Sequence, residues 1–194
     1  MLGKLFPIEP GRPSPDAGPS VPAFIHPDAF AREPTSGPER LRIGGGDDSP
    51  RLLGTLASLL SEPLFLLVVL RVSNSGTGPG VGRYEAVPRT YLQALDFLDE
   101  YHDLFAHDAR ADVWVGSTKN SDLLVLDEHD LIYAYGDLDA FERELEGQRF
   151  RREYIEIPYP HTHCHRREFD ALEGELCNRL DWNRILPLQE SDHQ

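Results

Sequence analysis

Cysteine is scarce in this sequence, and its scarcity excludes one class of protein. The chain of 194 residues contains two cysteines, Cys164 and Cys177, which are too few for a disulfide-stapled secreted domain and lack CxxC spacing. The first eleven residues also lack the apolar segment of a signal peptide. We therefore expect a protein of a reducing, cytoplasmic compartment.

Basic residues are also few. The sequence has 19 Lys and Arg against 33 Asp and Glu, a formal net charge of -14. Nucleic-acid affinity comes mainly from basic side chains that neutralise phosphates, so this composition argues against a nucleic-acid partner. It favours a basic protein partner, although an acidic surface is also an ordinary means of keeping a cytosolic protein in solution.

Only one apolar stretch, residues 52–70, has the length of a membrane span. Glu62 and Pro63 interrupt it near its centre, where a charge and a missing backbone donor are both costly in a bilayer. The stretch therefore predicts a helix that ends at Ser61 and a buried strand that follows it, and we expect no membrane contact.

The chain divides by composition into an arm and a body. Residues 1–38 contain nine of the 16 prolines and few bulky apolar residues, which predicts a Pro-rich extended arm that adds no core layer. We expect residues 39–194 to form a single α+β domain, with one mostly antiparallel sheet flanked by helices. The predicted strands are 41–43, 64–72, 83–87, 113–116, 123–126, 131–135 and 150–157, and the predicted helices are 50–61, 88–105, 137–147 and 166–180.

A histidine cluster follows the last predicted strand. His161, His163 and His165 alternate with other residues, so a continuing strand would project all three to one face, with about 6.6 Å between alternate Cα atoms. Three histidines and a water form the donor set of a catalytic zinc or another divalent metal. Further ligands or supporting carboxylates could come from the tip at 127–130 if it folds over the cluster. This pattern predicts a metal-dependent hydrolase as one candidate function.

The same histidines also permit a structural interpretation. Pro158 and Pro160 would form a rigid turn in which the imidazoles hydrogen-bond to carbonyls or carboxylates. On this interpretation no cofactor is bound. The sequence leaves both interpretations open.

Acidic residues form the second candidate site, a surface for a basic protein partner. Some lie on the polar face of the helix predicted at 88–105, where Phe97 is a candidate anchor, and others lie on the tip between two strands. An exposed tip does not raise a carboxyl pKa, so we expect a solvated turn there, with recognition of a basic surface as its remaining use. The predicted partner-binding residues are Asp96, Asp99, Glu100, Asp103, Asp127, Glu128, His129 and Asp130.

Four strings carry a resemblance to known proteins: GRY at 82–84, VWVG at 113–116, DEHDLIYAYG at 127–136 and PYPHTH at 158–163. Together they resemble a family of small bacterial proteins without an assigned activity, over roughly residues 40–188. Proteins of this appearance are similar to immunity proteins of polymorphic or contact-dependent toxin systems, which neutralise a cognate toxin by binding it. The resemblance implies no catalytic residues. It implies a cytoplasmic antitoxin that covers a basic toxin domain with its acidic surface, which is the leading candidate function.

Overall fold

The computed structural model describes residues 4–7, 24–76, 79–179 and 182–188, which contain eleven strands and five helices. The strands are β1 (Leu5–Pro7), β2 (Ala29–Glu33), β3 (Arg40–Gly44), β4 (Leu64–Leu70), β5 (Gly82–Ala86), β6 (Ala111–Ser117), β7 (Leu123–Leu126), β8 (Leu131–Tyr135), β9 (Arg151–Arg152), β10 (His161–His163) and β11 (Trp182–Leu186). The helices are α1 (Ser49–Ala57), α2 (Tyr91–Glu100), α3 (His102–His107), α4 (Leu138–Gly147) and α5 (Asp170–Cys177), and a 3₁₀ turn at Arg167–Phe169 precedes α5.

Nine of these strands form one sheet, in the order β11-β5-β4-β6-β7-β8-β3-β2-β9. Its pairings are antiparallel except that of β2 with β9. Strands β1 and β10 pair antiparallel as a separate two-stranded sheet. The predicted α+β fold with one mostly antiparallel sheet flanked by helices is confirmed.

The two faces of the large sheet have different surroundings. Leu66, Val68 and Val115 belong to the hydrophobic core, to which all five helices also contribute side chains. Some of the side chains that alternate with these, such as Trp114 and Val125, are only half buried and line a cleft. The sheet therefore has one face packed by helices and another that is partly open.

Local sequence explains where the first helices begin. Asp48 caps α1 by accepting the backbone N–H of Arg51, and Thr90 forms a capping box with Gln93 at the start of α2. The apolar stretch at 52–70 divides into α1 and β4, as the charge and proline at its centre predicted. In the part of the chain that the structure describes, no helix is both long and apolar enough to cross a membrane.

The helix predicted at 88–105 divides at Tyr101 into α2 and α3. Phe97 is 2% exposed, and its ring centroid lies 5.1 Å from that of Tyr101 and 5.9 Å from that of Phe105. The expectation that Phe97 anchors a partner is therefore wrong. Phe97 packs instead into the hydrophobic core, with the aromatic rings of Tyr101 and Phe105 beside it.

The domain boundary predicted between residues 38 and 39 is also wrong. β2 lies inside the sheet between β3 and β9, and its Phe30 belongs to the hydrophobic core. Pro27 and Pro34 flank this short strand, so the composition of the region concealed its alternation. Lys4 and Leu5 are buried as well. The rest of the predicted arm, residues 1–3 and 8–23, lies outside the described residues.

The strand predicted at 150–157 is shorter than expected. Only Arg151–Arg152 forms β9, and Ile155 is buried against Ala29 and Leu131 without belonging to a strand. Two further strands follow it: β10, a separate short strand at the histidines rather than a continuation of the predicted one, and β11, which the pattern did not predict. Both are set by long-range pairing: β10 with β1, and β11 with β5.

We expect a chain that lacks residues 1–38 to lose cooperative thermal unfolding, because it lacks β2. Removal of one buried aromatic side chain such as Phe30 already costs about 3–5 kcal/mol. A chain that lacks only residues 1–23 keeps β2 and is the matched control, which should still unfold cooperatively. Circular dichroism during heating measures both, and identical melting of the two truncations would contradict the position of β2 inside the body.

Candidate metal centre

Three histidines from two distant parts of the chain meet beside the tip that joins β7 to β8. His129 lies on this tip, and His161 and His163 lie on β10. Ring centroids are 5.3 Å apart for His129 and His161, 4.9 Å for His129 and His163, and 5.1 Å for the pair on β10. One ring nitrogen of each residue lies within 4.8 Å of one from each of the others. We call this group the histidine cluster.

Hydrogen bonds hold two of these rings by Nδ1. In His129, Nδ1 lies 2.9 Å from Oδ2 of Asp127. In His161, Nδ1 lies 2.7 Å from the carbonyl oxygen of Pro158. Because an oxygen acceptor requires the proton on Nδ1, Nε2 of each neutral ring keeps its lone pair.

The third ring, that of His163, is oriented in the same way, with Nδ1 toward an oxygen. Its Nδ1 lies 3.5 Å from Oε2 of Glu128, and its Nε2 is buried without a hydrogen bond to any residue in the described ranges. Burial lowers the pKa of His163, which favours the neutral ring. All three histidines therefore have an oxygen acceptor beside Nδ1 and an Nε2 that is left to bind a ligand.

This arrangement is suited to a transition metal. Histidines that bind metals commonly donate the other ring N–H to a carboxylate or a carbonyl, as His129 and His161 do here, while Nδ1 of His163 lies 3.5 Å from Glu128. Tetrahedral zinc with bonds of about 2.0–2.1 Å separates its ligand nitrogens by about 3.3 Å. Since the nitrogens of the cluster lie within 4.8 Å of one another, small side-chain rotations would bring them to one ion.

Asp127 organises the tip that carries His129. Its Oδ1 accepts the backbone N–H groups of His129 and Leu131, both at 2.9 Å, while Oδ2 faces the imidazole. Burial alone would raise the pKa of Asp127, but these hydrogen bonds and the charge of Lys4 lower it overall. Burial likewise opposes the charged form of His129, and the contact with Asp127 outweighs it and raises the pKa of this histidine.

Lys4 fastens the tip to the body. Its ammonium is fully buried, donates to the carbonyl oxygen of Asp127 at 3.2 Å and lies 3.7 Å from Oδ1 of Asp130. Asp130 also accepts a hydrogen bond from Ser49, at the start of α1, and has a φ of 67°, in the left-handed region. The expectation of a solvated turn is wrong, because internal partners compensate these carboxylates.

The N-terminal strand also holds the other two histidines. β1 pairs with β10, so that Leu5 lies opposite His163 and Pro7 lies opposite His161. Residues 4–7 therefore contact both the tip that carries His129 and the strand that carries the other two histidines. The sequence placed this segment in an extended arm and offered no signal for the contact.

His165, the third metal ligand predicted from the sequence, lies outside the cluster. β10 ends at His163, so the strand alternation that would have aligned His165 stops before it, and the side chain is exposed. The backbone N–H of Cys164 instead donates to the carbonyl oxygen of Lys4. His129 supplies the third nitrogen. The sequence indicated this only as an alternative, in which the acidic tip folds over the histidines.

The predicted partner-binding residues fall into two groups. Asp96, Asp99, Glu100 and Asp103 are exposed on α2 and α3. Residues 127–130 are buried or half buried at the histidine cluster. The tip therefore adds little to an exposed acidic surface, and only the helical group has the exposure that the prediction requires.

Two charged residues that the sequence analysis missed lie beside the cluster. Nη2 of Arg71 is 2.6 Å from Oδ2 of Asp112, and its Nε is 3.7 Å from Oε2 of Glu128. Burial raises the pKa of Asp112 to about 6, although Arg71 opposes that shift. The available signal was the position of Asp112 directly before the apolar residues of β6, where a charge is unusual.

Comparison of the chain with protein-family models, with curated proteins and with solved structures returned no match. The function is therefore inferred from the geometry of the site. The resemblance to immunity proteins stays a prediction.

We expect Lys4→Met to destabilise the protein by about 3–5 kcal/mol, because it leaves the buried Asp130 carboxylate without its cationic partner. The chain offers a matched control in Lys119, which is exposed after β6. Lys119→Met should change the free energy of unfolding by less than about 0.5 kcal/mol. Urea unfolding measures both variants. Equal stability of the two would show that Lys4 does not fasten the tip.

Proposed function

We propose that this protein is a metal-dependent hydrolase whose single divalent ion binds to His129, His161 and His163. One observation supports this most directly: one nitrogen from each of the three rings lies within 4.8 Å of those of the other two, while an oxygen acceptor lies beside Nδ1 of each ring. Neutral imidazoles oriented in this way are good ligands for zinc and related metals.

The donor set favours a catalytic site over a structural one. Structural zinc sites have four protein ligands, whereas catalytic sites have three and leave a position for water. The group found among the described residues contains three histidines. A bound ion would supply a Lewis acid that lowers the pKa of a coordinated water toward neutrality, and this is the chemistry of hydrolysis.

The surrounding carboxylates support the same role. Asp127 and Glu128 lie against His129 and His163 and would orient these ligands, since partners of this kind fix the tautomer and the ring position. Arg71 holds Glu128 and Asp112 on the other side. The cluster is therefore set in a charged network rather than packed among apolar groups.

We expect the purified, untagged protein to bind one zinc ion per chain. His129→Ala, His161→Ala and His163→Ala should each lose it, because each removes a ligand, and elemental analysis with calorimetric zinc titration measures the loss. His165→Ala is the matched control, since its ring is exposed and outside the cluster, and it should retain the ion. Absence of stoichiometric zinc, or equal loss in His165→Ala, would contradict the assignment.

A second candidate is a cytoplasmic immunity protein that binds a basic toxin domain. The exposed side chains of Asp96, Asp99, Glu100 and Asp103 on consecutive helices support it, because acidic groups on one surface steer a basic partner. Glu100 also forms an ion pair with Arg179 at 2.5 Å, and Asp103 lies 3.1 Å from Nδ1 of His102, which leaves Asp96 and Asp99 without an ion pair among the described residues. This function requires no metal.

On this second proposal, reversal of Asp96, Asp99 and Glu100 to lysine should slow association with the basic partner. Added salt should slow it as well, because the field is screened over about 8 Å at physiological ionic strength. Reversal of Asp47, Glu153 and Glu156, which are exposed elsewhere, is the control. Stopped-flow association rates measure the effect. Equal rates for both triple variants would remove the support for this surface.

A further inference from the structure

A cleft of about 780 Å³ opens beside the histidine cluster, on the sheet face that does not belong to the helix-packed core. His129 of the cluster lines this cleft, and so does Glu128, which contacts His163. Clefts of this volume hold small organic ligands. A molecule bound here would lie next to the proposed ion.

The floor of the cleft is a ladder of apolar and aromatic side chains. Trp114 on β6 pairs with Val125 on β7, which in turn pairs with Tyr133 on β8. All three side chains line the cleft, and Tyr135 continues the aromatic surface. Such a surface favours a ligand with a flat apolar or aromatic part, which can stack on the rings.

The cations of the lining are already paired. Arg40 lies 2.6 Å from Glu33, and Arg71 lies 2.6 Å from Asp112. The carboxylates at 127–128 also line the cleft, so the lining has more negative than positive groups. A divalent ion at the cluster would offset this excess. Apart from that ion, an anionic ligand would find no unpaired cation in the lining and would meet several carboxylates.

Two hydrogen-bond donors of the floor have no acceptor among the residues that the structure describes. Nε1 of Trp114 is buried without a hydrogen-bond partner. The hydroxyl of Tyr133 makes no hydrogen bond within the same residues, and burial raises its pKa, so it keeps its proton. Nε1 of Trp114 is closed to solvent, so the Tyr133 hydroxyl is the donor of the floor that a ligand carbonyl could reach.

We propose that this cleft binds the substrate of the three-histidine centre, and that the substrate is an uncharged ester or amide with an aromatic or apolar group. The inference rests on the proposed hydrolase function. The aromatic part lies on Trp114 and Tyr133, and the scissile carbonyl lies toward His129. In the reaction, water adds to the carbonyl carbon, the bond to the leaving oxygen or nitrogen breaks, and the proton from water passes to the leaving atom.

The test uses the full-length zinc-loaded protein and two probes that share one aromatic ring. 4-Nitroacetophenone is an uncharged, uncleavable carbonyl compound, and 4-nitrophenyl phosphate is an anion; calorimetry measures the binding of each. We expect the ketone to bind and the phosphate to bind at least tenfold more weakly. Tyr133→Ala should weaken ketone binding about tenfold, through loss of the stacking surface, while zinc content is unchanged.

Tyr154→Ala is the matched control, because Tyr154 is 56% exposed and outside the cleft lining, and it should bind the ketone as the parent does. If Tyr133→Ala fails to fold, Val125→Arg fills the same floor from the neighbouring strand and should abolish ketone binding. Hydrolysis of 4-nitrophenyl acetate should follow the same order among the variants.

The outcomes separate the two proposals. A protein that binds zinc but prefers the phosphate, or binds the ketone equally well with Val125→Arg, would overturn the cleft assignment and leave the metal centre intact. A protein that binds no zinc would overturn the metal centre and the substrate assignment with it.

Discussion

The carboxylate of Asp127 is the contact on which the rest of the site depends. One of its oxygens accepts two backbone N–H groups of the tip, and the other faces the ring of His129. A single side chain therefore sets both the path of the turn and the direction of an imidazole. Without this acceptor, two buried N–H groups would lack a partner, and the ring of His129 would be free to present either nitrogen.

Placing so many charges inside the protein has a thermodynamic cost. Asp127, Asp130 and Lys4 are all buried, and buried ion pairs recover their desolvation penalty only when their geometry and hydrogen bonding are good. A tip with apolar side chains in these positions would have avoided this desolvation penalty. The fold instead uses the N-terminal segment to neutralise the tip and to pair with the strand that carries His161 and His163. These contacts fix the positions of the three histidines relative to one another, which the proposed metal site requires.

The sheet explains why the cluster and the cleft lie together. Its helix-packed face contains the core, and the alternation of β6, β7 and β8 sends Trp114, Val125 and Tyr133 to the other face. The tip joins β7 to β8 at the end of these two strands, and His129 on the tip lines the same cleft as Val125 and Tyr133. Part of the cleft floor and one member of the histidine cluster thus come from the same hairpin, and the strand pairing keeps their relation fixed.

The sequence by itself determined the elements whose signals are local. Alternation and apolar runs predicted β3 to β8, Asp137 and Gly147 bounded the fourth helix, and the HTH pattern brought His161 and His163 to one side of a strand. Only the tertiary structure decided that β2 lies inside the sheet, that the acidic tip is buried and that His129 replaces His165. These features depend on contacts between residues far apart in the chain: Lys4 reaches Asp127 across 123 positions, and no periodicity within a short window records such a pairing. The physical reason is that burial and ion pairing are properties of the packed chain, whereas propensity and alternation are properties of its neighbours in sequence.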